Sequence, residues 1–281
     1  MSKLEQNIIY FVLVGCFVIY FTVYPVQSEL VNETLIPGAI MFLISIIAFG
    51  FDEIMKNWRR LWLFLITKTW YRNTSIRLSI SYLYRIKIND KYLLVKSNHD
   101  GNWQPVGGVY KTLPGSEKIF EELNVQPDRV FETEKGIAKC DLRVHVNGKN
   151  VIPFLRWFDS GEDRELSPWR EFCEELITTT NILKADNFRY INYKYKGRVT
   201  SPIIRLDVGG RGYFLYDIFD LVPNDAQTKE LEVLYGSGDG ETYRWFTAEQ
   251  IKARGYDQRT KKFIANILPH SKYSLEIKWS K

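Results

Sequence analysis

The apolar positions fall into distinct regimes along the chain. Residues 8–26 read IIYFVLVGCFVIYFTVYPV and residues 35–51 read LIPGAIMFLISIIAFGF, the first without a charge and both dense in Ile, Val, Leu and Phe. The runs hold about 19 and about 17 residues, which suits helices crossing a hydrocarbon core of about 30 Å. They predict a two-helix transmembrane hairpin over residues 1–51. A signal peptide is the competing reading of the first run. It fits poorly, because the apolar stretch is long, no small-residue cleavage site follows and a second span comes directly after. Between 52 and 75 the pattern changes to Trp58, Trp62 and Trp70 interleaved with Arg59, Arg60, Lys68 and Arg72. That mixture suits the headgroup layer and predicts a helical connector lying at or leaving the membrane surface.

From residue 76 to 281 the period is that of strands. SISYLYRIKI and YLLVKS flank Asn89-Asp90-Lys91, the pattern of a hairpin with a polar turn. SEKIFEELN reads as a helix, and Asn147-Gly148 as the turn of a second hairpin. NFRYINYKYKG, TSPIIRLDV and GYFLYDIFDLV are strand-rich, and ETYRWFTAEQIKARG and DQRTKKFIANIL turn helical at their ends. Mixed strands with few helices between them predict an α+β sandwich, a mixed sheet between helices.

Charge adds an orientation. The formal net charge is +5, from 38 Lys+Arg against 33 Asp+Glu, and much of the excess follows the second apolar run. This reads as a basic juxtamembrane collar in preference to a site for a DNA or RNA polymer. The loop QSELVNET has Glu29 and Glu33 but no Lys or Arg, whereas Lys56, Arg59, Arg60, Lys68, Arg72 and Arg77 follow the second run. The positive-inside rule then puts both termini and the strand-rich domain in the cytosol. Cys16, Cys140 and Cys173 have neither zinc-site nor disulfide-framework spacing, and three histidines argue against a zinc enzyme.

The chemistry concentrates in GEDRELSPWREFCEEL, residues 161–176. Ser167-Pro168 is a helix start with Pro at the first helical position. Trp169, Phe172, Cys173, Leu176 and Ile177 then follow the spacing of a buried stripe, and Glu171, Glu174 and Glu175 fall on the opposite face. Clustered carboxylates repel each other. Mg²⁺ would relieve that repulsion and is the one cofactor the face suits, while a solvated acidic face needs no cation.

Glu162, seven intervening residues, then Arg170-Glu171-Phe172-Cys173-Glu174-Glu175 resembles the Nudix box. WQPVGG resembles the W-x-x-P-G-G that precedes the box, with Pro105 displaced by one, and ETYRWFTAEQI resembles a late Glu-x-x-x-Trp segment of the same family. The resemblance covers roughly residues 76–270. Arg156 stands where the box has its first Gly, Ile177 replaces the Gly that ends the helix, and Thr178 replaces an apolar residue. A segment of about 109–160 is inserted between Gly107-Gly108 and the helix. The glutamates are kept while their frame is rebuilt, which implies nucleotide binding more than hydrolysis.

Joined to a membrane hairpin, such a domain is similar to the transmembrane Nudix effectors associated with bacterial cGAS/DncV-like nucleotidyltransferases, the SMODS-associated Nudix domains. The resemblance implies an antiphage effector at the inner membrane. A partner nucleotidyltransferase would make a cyclic di- or trinucleotide, the domain would bind it, and homo-oligomerisation would disrupt the lipid bilayer. The alternative is a membrane-tethered hydrolase of nucleoside diphosphate derivatives. Trp103 is the candidate for base stacking or an ordinary core tryptophan. Arg85 lies on the first strand, where the family often places ligand contacts, and reads equally as a surface-strand arginine. Gly107 and Gly108 could bring backbone N–H groups to phosphate, and Arg205 and Arg211 flank Asp207-Val208-Gly209-Gly210 as candidate phosphate cations or turn residues. Glu162 and Arg170 would orient the acidic helix.

Overall fold

The structure is a computed structural model that describes Met41 and residues 58–97, 101–128 and 140–279. The expected spans at 8–26 and 35–51 fall outside the described residues, Met41 apart. Among the described residues no helix is long and apolar enough to cross a membrane. The chain divides into two units, residues 1–66 and 67–281. Helix α1 occupies 58–68. Within the first unit Trp58 and Trp62 stack at 6.2 Å, one turn apart, and both stay about half exposed beside the exposed Arg59 and Arg60.

The second unit is built around one long strand. β1 (Ser75–Arg85) is buried along nearly its whole length, because strands lie on both of its edges and layers cover both of its faces. β2 (Lys87–Ile88) and β3 (Lys91–Lys96) form the predicted hairpin, with left-handed Asn89 and then Asp90 in its turn. β4 (Trp103–Gln104) pairs with β3, and β5 (Gly107–Val109) returns to pair with β1. SEKIFEE forms α2 (Ser116–Glu122).

β6 (Gln126–Pro127) and β7 (Arg143–Asn147) pair with each other, and β7 adds to β1 beside β5, so the segment expected as an insertion is built into the main sheet. Asn147-Gly148 is not a hairpin turn. Asn147 is the N-cap of α3 (Gly148–Ser160), an amphipathic helix that buries Val151, Ile152, Phe154, Leu155, Trp157 and Phe158. Pro153 within α3 has no N–H for the carbonyl of Lys149, and that carbonyl accepts from Lys68 Nζ at 2.9 Å instead.

After the acidic segment come α5 (Ala185–Phe188), β8 (Asn192–Thr200), β9 (Ile204–Arg205) and β10 (Arg211–Val222), with α4 (Trp169–Cys173) preceding them. β10 runs parallel to β1 from Ile76↔Arg211 to Arg85↔Asp220, giving the order β6-β7-β1-β10-β8. α6 (Asp225–Gly236) leads to β11 (Tyr243–Thr247), which completes a second, smaller sheet with β3. α7 (Ala248–Lys252) starts on a Thr247/Gln250 capping box. The DQRTKKFIANIL segment forms no helix there. β12 (Tyr256–Asp257) and β13 (Lys262–Phe263) pair as a hairpin, and a 3₁₀ turn at Pro269–Ser274 follows. Tyr273 of that turn joins Leu83, Val199 and Ile218 to cover one face of the main sheet. The acidic segment and α3 lie against the other face, where Phe172 meets Tyr84 at 5.4 Å and Phe158 meets Tyr110 at 5.3 Å.

Candidate functional site

The acidic helix starts one residue later than the Ser-Pro pattern predicts. Pro168 is its N-cap, and Ser167 Oγ accepts the Trp169 N–H at 3.2 Å. Phe172, Leu176 and Ile177 are buried as the stripe requires, and Trp169 and Cys173 are half-buried. After Cys173 the helix widens into a π turn, Glu174–Thr178. Where the box pattern ends the helix with Gly, Ile177 packs inward and the extra width carries the chain onward.

Arg170 organises the acidic face. Its Nε lies 3.1 Å from Glu165, and its Nη1 lies 2.6 Å from Glu171 and 3.3 Å from Glu174. Its Nη2 donates to the Val109 carbonyl at 2.9 Å, which ties the helix to β5. Arg170 thus pairs with nearby glutamates, Glu165 among them, whereas Glu162, the other residue expected to orient the helix, is not among these partners. Gly161 and Asp163 adopt left-handed conformations that turn the chain sharply after α3 and leave Glu162 exposed. Two residues on, the Glu165 N–H bonds to Lys111 at 2.8 Å and Arg164 Nε bonds to the Phe158 carbonyl at 2.6 Å, which fixes Glu165 against the sheet.

Burial raises the Glu171 pKa above the usual carboxylate value in spite of Arg170. Burial, reinforced by the Glu171 charge, pushes Glu175 up to about 8, and the hydrogen bond from the Gly107 N–H at 3.0 Å opposes this only in part. That bond shows what the glycine pair does. A Cβ at Gly108 would fall 2.2 Å from the Glu171 carboxyl carbon, and one at Gly107 would fall 2.1 Å from the Tyr82 carbonyl. The pair lets the acidic helix lie directly on β5, and the Gly107 N–H, expected to approach phosphate, is occupied by Glu175.

The donor set as arranged does not fit Mg²⁺. Glu171 and Glu174 are turned to Arg170 and Glu175 to the Gly107 N–H, so the three carboxylates do not face a common point. Among the described residues no three His, Cys, Asp or Glu side chains are grouped to hold a metal ion.

The family model for the SMODS-associated NUDIX domain matches residues 75–275, which is β1 through the 3₁₀ turn and more than two-thirds of the chain. The chain belongs to the SMODS-associated NUDIX family. A search of curated proteins returned no match. Membership links this SMODS-associated NUDIX domain to a nucleotidyltransferase-made signal and supports an effector role in antiphage defence.

The remaining predicted residues of the SMODS-associated NUDIX domain do not converge on the acidic helix. Arg85 is closed by a bidentate pair with Asp220, at 2.5 and 2.8 Å. Trp103 is 6% exposed and packs with Leu94, Phe246, Ile251 and Ile267, with the Arg244 guanidinium 4.8 Å from its ring, so it is core and offers no open stacking face. Arg205 and Arg211 pair across β9 and β10, and Arg211 lies over Tyr71 at 5.3 Å. Arg211 is level with Ile76 whereas Gly107 is level with Leu83. Seven residues of β1 therefore separate them, about 23 Å at the usual strand rise.

Sequence reasoning passed over Glu165 and an aromatic group on the same side of the sheet. The Phe219 ring lies 5.5, 5.6 and 6.2 Å from those of Tyr193, Tyr195 and Tyr84, Tyr193 lies 6.3 Å from Tyr84, and Tyr84 also meets Phe172. The alternation of Tyr with Lys in NYKYKG was the signal that could have found it.

Proposed function

We propose that this protein is a ligand-gated membrane effector: its Nudix-like domain binds a cyclic di- or trinucleotide from a partner nucleotidyltransferase, self-associates, and disrupts the bacterial inner membrane. The carrying observation is the match of residues 75–275 to the SMODS-associated NUDIX domain, with the box glutamates held by Arg170 and the Gly107 N–H instead of grouped for a cation. Apolar runs at 8–26 and 35–51, with cytosolic flanks marked by basic residues, support the membrane half of the reading. Two helices are too few to enclose a pore, so several copies act together. The ligand drives assembly by binding the assembled state more tightly than the separate one, since equal affinity would shift nothing.

The test is membrane potential in bacteria expressing the full-length protein with an active or an inactive partner nucleotidyltransferase. Depolarisation is expected only with the active enzyme. Equal potentials, with the cyclic nucleotide detected and the protein in the membrane fraction, would refute the proposal. Mg²⁺-dependent turnover of a nucleoside diphosphate derivative by the purified protein, lost in Glu174→Gln, would favour the tethered hydrolase.

A further inference from the structure

β8 is an edge strand, and Asn192 through Lys196 are all exposed on it. Tyr193 and Tyr195 are 37% and 51% exposed, and both pack edge-to-face against Phe219 at 5.5 and 5.6 Å. Exposed aromatic rings supported from behind by another ring are a surface on which a flat base can stack.

Behind them lies Tyr84, 1% exposed, with its ring 6.3 Å from Tyr193 and 5.4 Å from Phe172. Its hydroxyl is enclosed and has no hydrogen-bond partner among the described residues. An unpaired buried hydroxyl is uncommon and calls for an explanation. Burial holds that hydroxyl protonated, and the charges adding to this effect are those of Tyr193 and Glu165. Tyr193 stands on β8 and Glu165 in the loop that leads into α4. An exposed contact of 3.3 Å between Tyr193 Oη and Ser167 Oγ joins β8 to that loop. Parting it would bring an incoming polar group to the Tyr84 hydroxyl.

The charge around this edge is of the right sign for a phosphodiester. Lys194 and Lys196 alternate with the tyrosines along the strand and so project from its other face, where Lys194 is level with Asp220. Lys196 lies 3.5 Å from Asp220, a carboxylate that Arg85 already engages with two bonds, so the two cations outnumber the one anion. The acidic helix has the opposite balance, with Glu165, Glu171 and Glu174 sharing one Arg170. Phosphates favour the lysine edge over the acidic face.

Resting on the cyclic-nucleotide reading above, we infer that the β8 edge seats the ligand's bases, with Tyr193 and Tyr195 as the stacking surface and the Tyr84 hydroxyl as the polar contact at its floor, while Lys194 and Lys196 on the other face of the same edge strand add attractive field without touching the ligand. The experiment titrates full-length protein in detergent with cyclic di-AMP, cyclic GMP–AMP and cyclic tri-AMP by calorimetry. Wild type is expected to bind at least one. Tyr193→Ala and Tyr195→Ala should each weaken that binding about 5- to 100-fold, the effect of losing one base–aromatic stack, and Tyr195→Phe should keep it within about threefold. Lys194→Gln with Lys196→Gln should flatten the salt dependence. Thermal melts accompany every variant. If Tyr193→Ala melts early, the more exposed Tyr195→Ala decides. Tight binding by wild type and unchanged binding by Tyr195→Ala would place the seat elsewhere and leave the sensor reading intact. No binding of any of the three by folded wild type would overturn the sensor reading, and this seat with it.

Discussion

Tyr84→Phe removes one oxygen from a fully enclosed position and leaves the ring contacts with Phe172, Tyr193 and Phe219 in place. A buried hydroxyl without a partner costs about 1–3 kcal/mol of desolvation that no hydrogen bond offsets. Losing the small contact volume of one oxygen returns part of this, so a net gain of about 1 kcal/mol is expected. For a domain of this size that corresponds to a melting temperature about 2–4 °C higher. The control is the same chemical change at Tyr110, whose hydroxyl donates to the buried Asp217 carboxylate at 3.1 Å. Tyr110→Phe strands part of a charged acceptor and should lower stability by about 1.5–3 kcal/mol. The assay is thermal unfolding of the full-length protein in detergent, both variants side by side with wild type. In cyclic-nucleotide titrations Tyr84→Phe should also bind several-fold more weakly, so that the stabilising change is the one that harms function. A Tyr84→Phe melting temperature below wild type would show that the hydroxyl is already satisfied, and would refute the reasoning.

Three further outcomes follow from the same contacts. Arg170→Ala leaves Glu165, Glu171 and Glu174 without their shared counterion and should destabilise the domain by about 3 kcal/mol, with Arg170→Lys only partly restoring it because one ammonium cannot span the three carboxylates and Val109; denaturant unfolding reads this directly. Glu175 has its pKa raised from an ordinary 4.5 to about 8, so the folded state holds the proton more tightly; the stability it contributes is full below about pH 4.5 and is lost as pH rises through about 8. Melting temperature should therefore fall across that window in wild type and fall less in Glu175→Gln, and identical slopes would remove Glu175 as the cause. For topology, with Cys16 and Cys173 replaced, a cysteine introduced at Ser28 should react with an impermeant maleimide in intact cells, whereas the exposed native Cys140 should react only after permeabilisation; the reverse pattern would put the domain outside.

The acidic helix was legible because its period is local: Phe172, Leu176 and Ile177 repeat at helical spacing and bury as a stripe. The β2–β3 hairpin was legible for a similar reason, since Asn89 takes the left-handed turn conformation that asparagine tolerates. Long-range pairings left no such mark. Which glutamates meet Arg170 depends on the turn at Gly161–Asp163, and box spacing could not show that this turn leaves Glu162 in solvent while Glu165 reaches the arginine. A glycine pair reads the same whether it admits a phosphate or a packed helix, and the Cβ positions at Gly107 and Gly108 decide for the helix. Trp103 read equally as a stacking residue or a core tryptophan, and the pairing of β4 with β3 decides for the core.

The parallel pairing of β1 with β10 also bears on how the domain is made. β5 and β7 together line one edge of β1, but its other edge is closed only by a strand that begins at Arg211. At a synthesis rate of about 5–20 residues per second, β1 leaves the ribosome roughly 6–25 s before that partner exists. Throughout this interval a strand carrying Ile76, Leu78, Ile80, Tyr82 and Tyr84 on one face presents an open backbone edge. Pairing over so long a loop is slow even after both strands are available. The nascent chain is therefore most prone to mispairing between neighbouring copies before residue 222 is complete, and chaperone demand during expression should track the length of time β1 waits.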